Sequence, residues 1–286
     1  MGLIPYIGGD TNIARYIVSL LPRGKVFAEL FGGGAAVTME VAKRRMYEKI
    51  ILNEKDFYVY VAYYVMKHHP EIFSVIHDFM VFYYTNFYND VNERSKFKEV
   101  FRQVRDEMVR GEIRDVVEAG FWSIILHMVA IAPFVSGLPL RRAERPSMNV
   151  RCRDYLYERH LILQHVTILN TDAIDLISEL DHNDVVMYLD PPHVELPYYR
   201  INFSYRDAVR LAQALRDVKH ARVLLKLTKG DLRYYEPYLD SWAKFIKEYK
   251  VQTQGCKTKT KKISEYIFLS NYEIQKKLWS SAKEGG

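Results

Sequence analysis

The chain has 286 residues, close to half of them hydrophobic and 27% charged, which excludes a disordered or fibrous protein and leaves room for one large domain or two ordinary ones. Its 41 basic and 35 acidic residues give a formal charge of +6, a mild tilt toward anionic partners such as nucleic acid. The two cysteines, Cys152 and Cys256, have neither metal-ligand spacing nor a disulfide framework and suit a reducing cytosol.

The opening stretch, MGLIPYIGGDTNIARYI, has no basic start followed by an apolar run, so no signal peptide is expected and a cytoplasmic location is. KVFAEL (25–30) reads as a strand, FGGG (31–34) as a turn that only glycine makes cheaply, AAVTMEVAKRR (35–45) as a helix ending in basic residues, and KIIL (49–52) as a second strand. From Phe57 the pattern changes. Residues 57–88 hold twelve aromatics broken by Pro70, and no strand is expected before Arg110. The longest apolar run, FWSIILHMVAIAPFV (121–135), is shorter than the ~20 residues of a membrane span and contains His127 and Pro133. It reads as a buried helix, with His127 a core histidine, and no membrane association is expected.

The alternation then resumes: strand HVTILN, helix AIDLISEL, strand DVVMYLD, helix RDAVRLAQALRDV, strand RVLLKL and a late strand SEYIFLSNY. This rhythm predicts a doubly wound, mostly parallel α/β sheet, with residues 1–56 and 156–286 forming one domain and 57–155 a mostly helical insertion.

In open α/β sheets ligands bind beyond the carboxyl ends of the strands. Here those ends carry Phe31-Gly32-Gly33-Gly34, Asn53-Glu54, Asn170-Thr171-Asp172 and Asp190-Pro191-Pro192-His193. A glycine turn with an acid 20 positions after Gly34 fits any nucleotide-like ligand, but FGGGAA is not the G-x-G-x-x-G of nicotinamide enzymes. The last end is more specific. Each proline removes a backbone donor, so Asp190 and the neighbouring carbonyls form an acceptor cluster without competing donors. Such a cluster suits a planar amine with two hydrogens, whose nitrogen lone pair it turns toward an electrophilic methyl group.

YLDPPH resembles the Asp-Pro-Pro-Tyr motif of the N6-adenine DNA methyltransferases, and five further segments resemble the Dam-type, alpha-group family in order: YIGGDTNIARYIVSLLP, VFAELFGGGAAV, IILNEKD, VTILNTDAIDLI and SEYIFLSNY. The resemblance covers most of residues 5–56 and 160–272. It implies a Rossmann-like methyltransferase with S-adenosylmethionine as cofactor and no metal. The cofactor would lie over Phe31, Gly32, Gly33 and Gly34, bordered by Glu29, with its methionine part near Tyr6, Gly8, Gly9 and Asp10. Glu54 would hold the ribose hydroxyls and Asp172 the adenine amine. Asp190, Pro191, Pro192 and His193 would form the catalytic set, gripping and stacking on an adenine flipped out of double-stranded DNA.

Asp10 stands where the family usually has lysine, Leu30 where it has proline, and His193 where it has tyrosine. A protonated His193 would repel the sulfonium, so activity is expected to fall as the pH drops into the imidazole range. DNA contacts are expected from Arg141, Arg142, Arg145, Arg151 and Arg153, and from Lys257, Lys259, Lys261 and Lys262, with sequence specificity in 57–155. The resemblance admits a cognate restriction endonuclease as partner. Cytosine-N4 transfer on DNA, adenine-N6 transfer on RNA, and an inactive DNA-binding relative stay open as alternatives.

Overall fold

The computed structural model describes residues 2–6, 9–89, 91–130, 134, 152–194, 200–239, 241–254 and 261–274. Its centre is a seven-stranded sheet. The strands are β1 (Val26–Glu29), β2 (Lys49–Asn53), β3 (Val166–Leu169), β4 (Val185–Leu189), β5 (Arg222–Thr228), β6 (Phe245–Gln254) and β7 (Lys261–Ser270). Their spatial order is β3-β2-β1-β4-β5-β7-β6. The first five run parallel, and β7 is antiparallel to both of its neighbours.

All five residues of β4 are buried, as befits a central parallel strand covered on both faces. On one face lie Phe27, Ile50, Leu52, Val186, Tyr188, Leu224 and Phe268. They pack with the helices α1 (Ala14–Leu20), α2 (Ala36–Arg44) and α3 (Phe57–His68). Ala28, Leu30, Ile51, Met187, Leu189, Val223 and Leu225 point to the other face. That face is covered by α8 (Ala173–Glu179), α9 (Tyr205–Asp217) and α10 (Leu232–Leu239). This is the expected doubly wound α/β architecture.

The connection from β2 to β3 is the helical stretch: α3, a 3-10 turn at Pro70–Ile72, α4 (Phe73–Asn89), α5 (Val91–Val109), α6 (Val116–Val129) and α7 (Cys152–Leu163). The aromatic run supplies its interior, with Tyr63, Phe73 and Tyr83 buried and Tyr83 edge-on to Phe97 and Phe101. α3 and α6 touch closely at Gly120, where a Cβ would come within 2.2 Å of Val65 Cγ2 and 2.7 Å of the Val61 carbonyl oxygen. These helices share one hydrophobic cluster with the sheet face above α2 and α3.

Four elements go beyond the sequence expectation: α1, α7, α10 and strand β6. FIKEYKVQTQ of β6 carries charged or polar residues at six of its ten positions, as an edge strand can, and so lacks an apolar signal. Among the described residues no helix is long and apolar enough to cross a membrane.

Candidate active site

The carboxyl ends of β1, β2, β3, β4 and β5 open into one cleft with about 1200 Å3 of space continuous with solvent. Of the residues singled out from the sequence, Tyr6, Gly9, Asp10, Glu29, Phe31, Gly32, Gly33, Gly34, Glu54, Asp172, Asp190, Pro191, Pro192 and His193 all line it. Gly8 lies outside the described residues.

One half of the cleft is built on backbone amides. Gly33 has φ +49°, and a Cβ there would also come within 3.1 Å of the Tyr6 ring, so the turn needs glycine twice over. The Tyr63 hydroxyl of α3 donates to the Gly33 carbonyl. The Tyr6 ring stacks on His127 at 6.0 Å, and His127 is buried with Nδ1 2.8 Å from the Ser123 carbonyl oxygen. Glu29, at the end of β1, accepts the Thr38 N–H at 2.7 Å inside the first turn of α2. Burial pushes its carboxyl up to about 8. Glu54 accepts the N–H of Gly33 at 2.7 Å and of Asp56 at 2.8 Å, and burial raises its carboxyl to about 7 against those bonds. One Glu54 oxygen thus buttresses the glycine turn and the other the chain entering α3. Asp172 caps α8 through the Ile174 N–H and receives Lys55 at 2.7 Å. Burial raises the Asp172 carboxyl, but those two contacts outweigh it and hold the group below its ordinary value.

The other half is built on side-chain cations. In the β4–β5 register Leu225 lies beside Leu189, so the next residues outward are Lys226 and Asp190. The Lys226 ammonium, 3% exposed, donates to Asp190 Oδ2 at 2.8 Å and to Asp10 Oδ1. The Tyr188 hydroxyl donates to the other Asp10 oxygen at 2.6 Å. Burial pushes the Asp190 carboxyl up to about 7, with Lys226 pulling it down and Asp10 pushing it up. Burial works against the Lys226 ammonium, but the two carboxylates prevail and its pKa is raised, so it stays charged. Asp10 departs from the lysine expected at its position, and the cation of this cluster comes from the sheet instead.

His193 follows the same principle. Its Nδ1 is 2.8 Å from Asp231 Oδ2, which also accepts the Thr228 hydroxyl at 2.6 Å. Burial raises Asp231, but the bonds from His193 and Thr228 dominate and keep it below the usual carboxylate value. A carboxylate only accepts, so Nδ1 carries a hydrogen. A second, shallower pocket continues past His193 along Thr228, Gly230, Ser264 and Tyr266.

Residues 201–203 also face the cleft. Arg200 Nε reaches both Asp56 oxygens at 2.9 and 3.0 Å, and Ile201, Asn202 and Phe203 join the lining, with Phe203 edge-on to Phe31 at 6.1 Å. Lys226 and Asp231 were not singled out from the sequence. The signal for Lys226 was a lysine inside the apolar run RVLLKL, since a charge within a buried strand requires a partner. Asp231 and Arg200 left no comparable mark.

Arg153 is exposed on α7, and Lys261 and Lys262 open β7 opposite Gln254 and Thr253. Arg141, Arg142, Arg145, Arg151, Lys257 and Lys259 lie outside the described residues. Among the described residues no cluster of His, Cys, Asp and Glu is arranged to hold a metal ion.

Two solved structures have a similar fold at 11% sequence identity. The spermidine synthase of Thermotoga maritima aligns over 89% of this chain and 55% of its own, with a TM-score of 0.38. A spermidine synthase in complex with the transition-state analogue AdoDATO aligns over 92% and 62%, with a TM-score of 0.42. The chain thus spans about 55 to 62% of the length of these proteins. No curated protein matches it. Residues 6–255 match the family of D12 class N6 adenine-specific DNA methyltransferases, which takes in both the glycine turn and the Asp-Pro-Pro-His turn. With that match over most of its length, the chain belongs to the D12 class N6 adenine-specific DNA methyltransferase family.

Proposed function

We propose that the chain transfers a methyl group from S-adenosylmethionine to N6 of an adenine flipped out of duplex DNA, at specific sites and by direct displacement. The observation that carries this reading is the meeting of the glycine turn and the Asp190 acceptor cluster on one cleft.

The cleft suits a cationic nucleoside ligand. Eight carboxyl groups line it (Asp10, Glu29, Glu54, Asp56, Asp172, Asp190, Asp207 and Asp231) against two ammonium groups, Lys55 and Lys226. Even with Glu29 neutral, that balance opposes a pyrophosphate-bearing cofactor and favours a sulfonium. When bound, S-adenosylmethionine supplies an electrophilic methyl group. The glycine turn gives it a surface free of Cβ atoms, and Asp172, at the mouth of β3, is the proposed partner of the cofactor's adenine amine. Glu54 is the proposed ribose ligand, sharing its oxygens with the amides of Gly33 and Asp56.

On the target side, Asp190 and the Pro191 carbonyl accept the two N6 hydrogens, directing the nitrogen lone pair at the methyl carbon. The N–C bond forms as the S–C bond breaks, and the nitrogen then releases one proton to the acceptor cluster or to water. His193, oriented by Asp231, is the proposed ring beneath the adenine. Orientation and acceptor geometry provide the catalysis. Arg153, Lys261 and Lys262 are the described candidates for phosphate contact, and residues 57–155 the proposed seat of sequence specificity.

The test uses purified protein, mixed-sequence duplex DNA and S-adenosylmethionine with a labelled methyl group, with Asp190→Ala alongside. Label recovered as N6-methyladenine after digestion, and lost in the variant, supports the reading. Label on cytosine, on RNA alone, or nowhere overturns it in favour of the corresponding alternative.

A further inference from the structure

Lys226 is the charged side chain most deeply placed beside the acceptor cluster, and the transfer reaction as described above does not use it. It rises from the middle of the sheet between β4 and β7, with apolar Leu225 and Leu227 on the opposite face. Taking an ammonium out of water is costly, and an apolar side chain of similar length could fill this strand position. The cost is met by a specific arrangement. Asp10 and Asp190 both accept from Nζ, and the Tyr266 ring of β7 lies 4.5 Å from it. Asp10 is held in turn by the Tyr188 hydroxyl. The two aspartates differ in position: the Asp10 side chain is 6% exposed, whereas that of Asp190 is 27% exposed at the cleft. Among the described residues Lys226 is the donor that reaches the Asp190 carboxylate, and it does so at Oδ2. Asp10 also lies against this carboxylate.

We propose that Lys226 is a positioning residue of the methyl transfer: anchored by Asp10, it keeps Asp190 ionised and turned so that one carboxylate oxygen is presented to the target amine. The proposal rests on the reading that Asp190 grips that amine. Its reach is electrostatic and directional. An Asp190 that took up a proton would offer a hydroxyl donor to an amine that is itself a donor, and the grip would fail.

The groups facing Asp190 come from every element packed on it: Lys226 of β5, Asp10 of the N-terminal segment, Glu29 of β1, Tyr188 of β4, and His193 with its partner Asp231. The active form is the carboxylate, so methyl transfer rises as pH passes upward through the titration of Asp190. Removing the cation must move that rise to higher pH. Removing the Asp10 charge must move it to lower pH. A lysine that merely fills space predicts neither.

The experiment measures single-turnover methyl transfer between pH 5.5 and 9.5 for the wild type, Lys226→Met, Lys226→Arg and Asp10→Asn. Affinity for S-adenosylhomocysteine and the thermal unfolding midpoint are followed in parallel. For K226M we expect a loss on the order of 100-fold at pH 7.5, the size of one preorganised electrostatic contact. Activity should recover as the pH rises, with product affinity within a few-fold of wild type. K226R should regain most of the activity, and D10N should shift the acid limb downward. A folded K226M with wild-type rates, or rates reduced equally at every pH, overturns the proposal. If K226M does not fold, the direction of the D10N shift decides alone.

Titration of 13C-labelled aspartate by NMR, with Asp190 assigned through Asp190→Asn, follows the carboxyl without any reaction. An inactive wild type in which K226M or D10N still moves Asp190 as described would overturn the methylation reading and leave the Lys226–Asp190 coupling standing. An active wild type with an unmoved Asp190 would do the reverse.

Discussion

The two halves of the cleft satisfy their buried acids in different ways. At the ends of β1 and β2, Glu29 and Glu54 accept backbone amides, from Thr38 in one case and from Gly33 and Asp56 in the other. Amide donors are fixed by the chain path and carry no net charge, so these acids shape a cradle and are themselves pushed up by burial, to about 8 and about 7. At the ends of β4 and β5, Asp190 and Asp231 are met by side chains that carry or can carry charge, Lys226 and His193. The difference separates a rigid holding surface from a surface whose protonation can be set. In the proposed reaction the first holds a cofactor and the second handles an amine that gives up a proton.

The largest effect is expected where the second half meets the amine. Asp190→Ala removes the carboxylate and leaves the Lys226 charge facing the cleft with Asp10 alone. Methyl transfer should fall on the order of 1,000-fold or more, with binding of S-adenosylhomocysteine nearly intact. Rate and product affinity measured on the same preparation check this. An equal loss of both would erase the distinction between the halves.

The next effect concerns the first half and is read in stability. Glu29 has a folded pKa near 8 against an ordinary value of 4.5, so between those values the folded chain binds the extra proton. The wild type is then most stabilised by this group below about 4.5 and loses that contribution as pH rises toward 8. Glu29→Gln keeps an acceptor for the Thr38 N–H and cannot titrate. Relative to the wild type it should gain a few kcal/mol of unfolding free energy across that window, since each pKa unit is worth about 1.4 kcal/mol. Urea unfolding at pH 5 and pH 8 measures it, and a constant difference at both would show that Glu29 is not held protonated.

Much of the cradle was legible in the sequence because apolar strands there end on conspicuous residues. KVFAEL runs into three glycines, KIIL into Asn53-Glu54, and DVVMYLD into two prolines. The pairings that set the second half were not. Lys226 meets Asp10 across 216 positions, Arg200 meets Asp56 across 144, and His193 meets Asp231 across 38. No local pattern encodes a partner at such distances, which the sheet order alone brings together. A lysine in an apolar strand states that a partner exists without naming it. β6 was missed for the related reason that an edge strand need bury only part of its surface, so its sequence looks like a polar loop.

A smaller effect tests how closely the glycine turn is built. Gly33→Ala places a Cβ 3.1 Å from the Tyr6 ring at a φ that disfavours every residue with a side chain, at a cost of roughly 1–2 kcal/mol. The ring would have to shift from its stack on His127. Affinity for S-adenosylhomocysteine should drop roughly tenfold while the pH at which transfer begins to rise stays fixed, because no charge near Asp190 has changed. Calorimetric binding and the pH profile of the variant give both numbers. A moved pH limb would mean that the halves are coupled and the division drawn above is too sharp.

The smallest effect lies at His193. Asp231→Asn keeps the shape of the group, and its amide can still accept from Nδ1 or from Thr228. What it loses is the negative charge that favours a hydrogen on Nδ1 and steadies the ring. If His193 serves as a stacking surface, orientation matters more than charge, and the rate should fall only about tenfold, near 1.4 kcal/mol. His193→Phe should then retain more activity than His193→Ala, since a neutral ring preserves the surface and cannot be charged beside a sulfonium. The phenylalanine variant should also lose any fall in rate at low pH that belongs to the imidazole, leaving the limb that belongs to Asp190. Comparing the pH profiles of H193F and the wild type therefore separates what depends on the ring from what depends on the Asp190–Lys226 pair. A profile unchanged by H193F would assign the whole pH dependence to the Asp190–Lys226 pair.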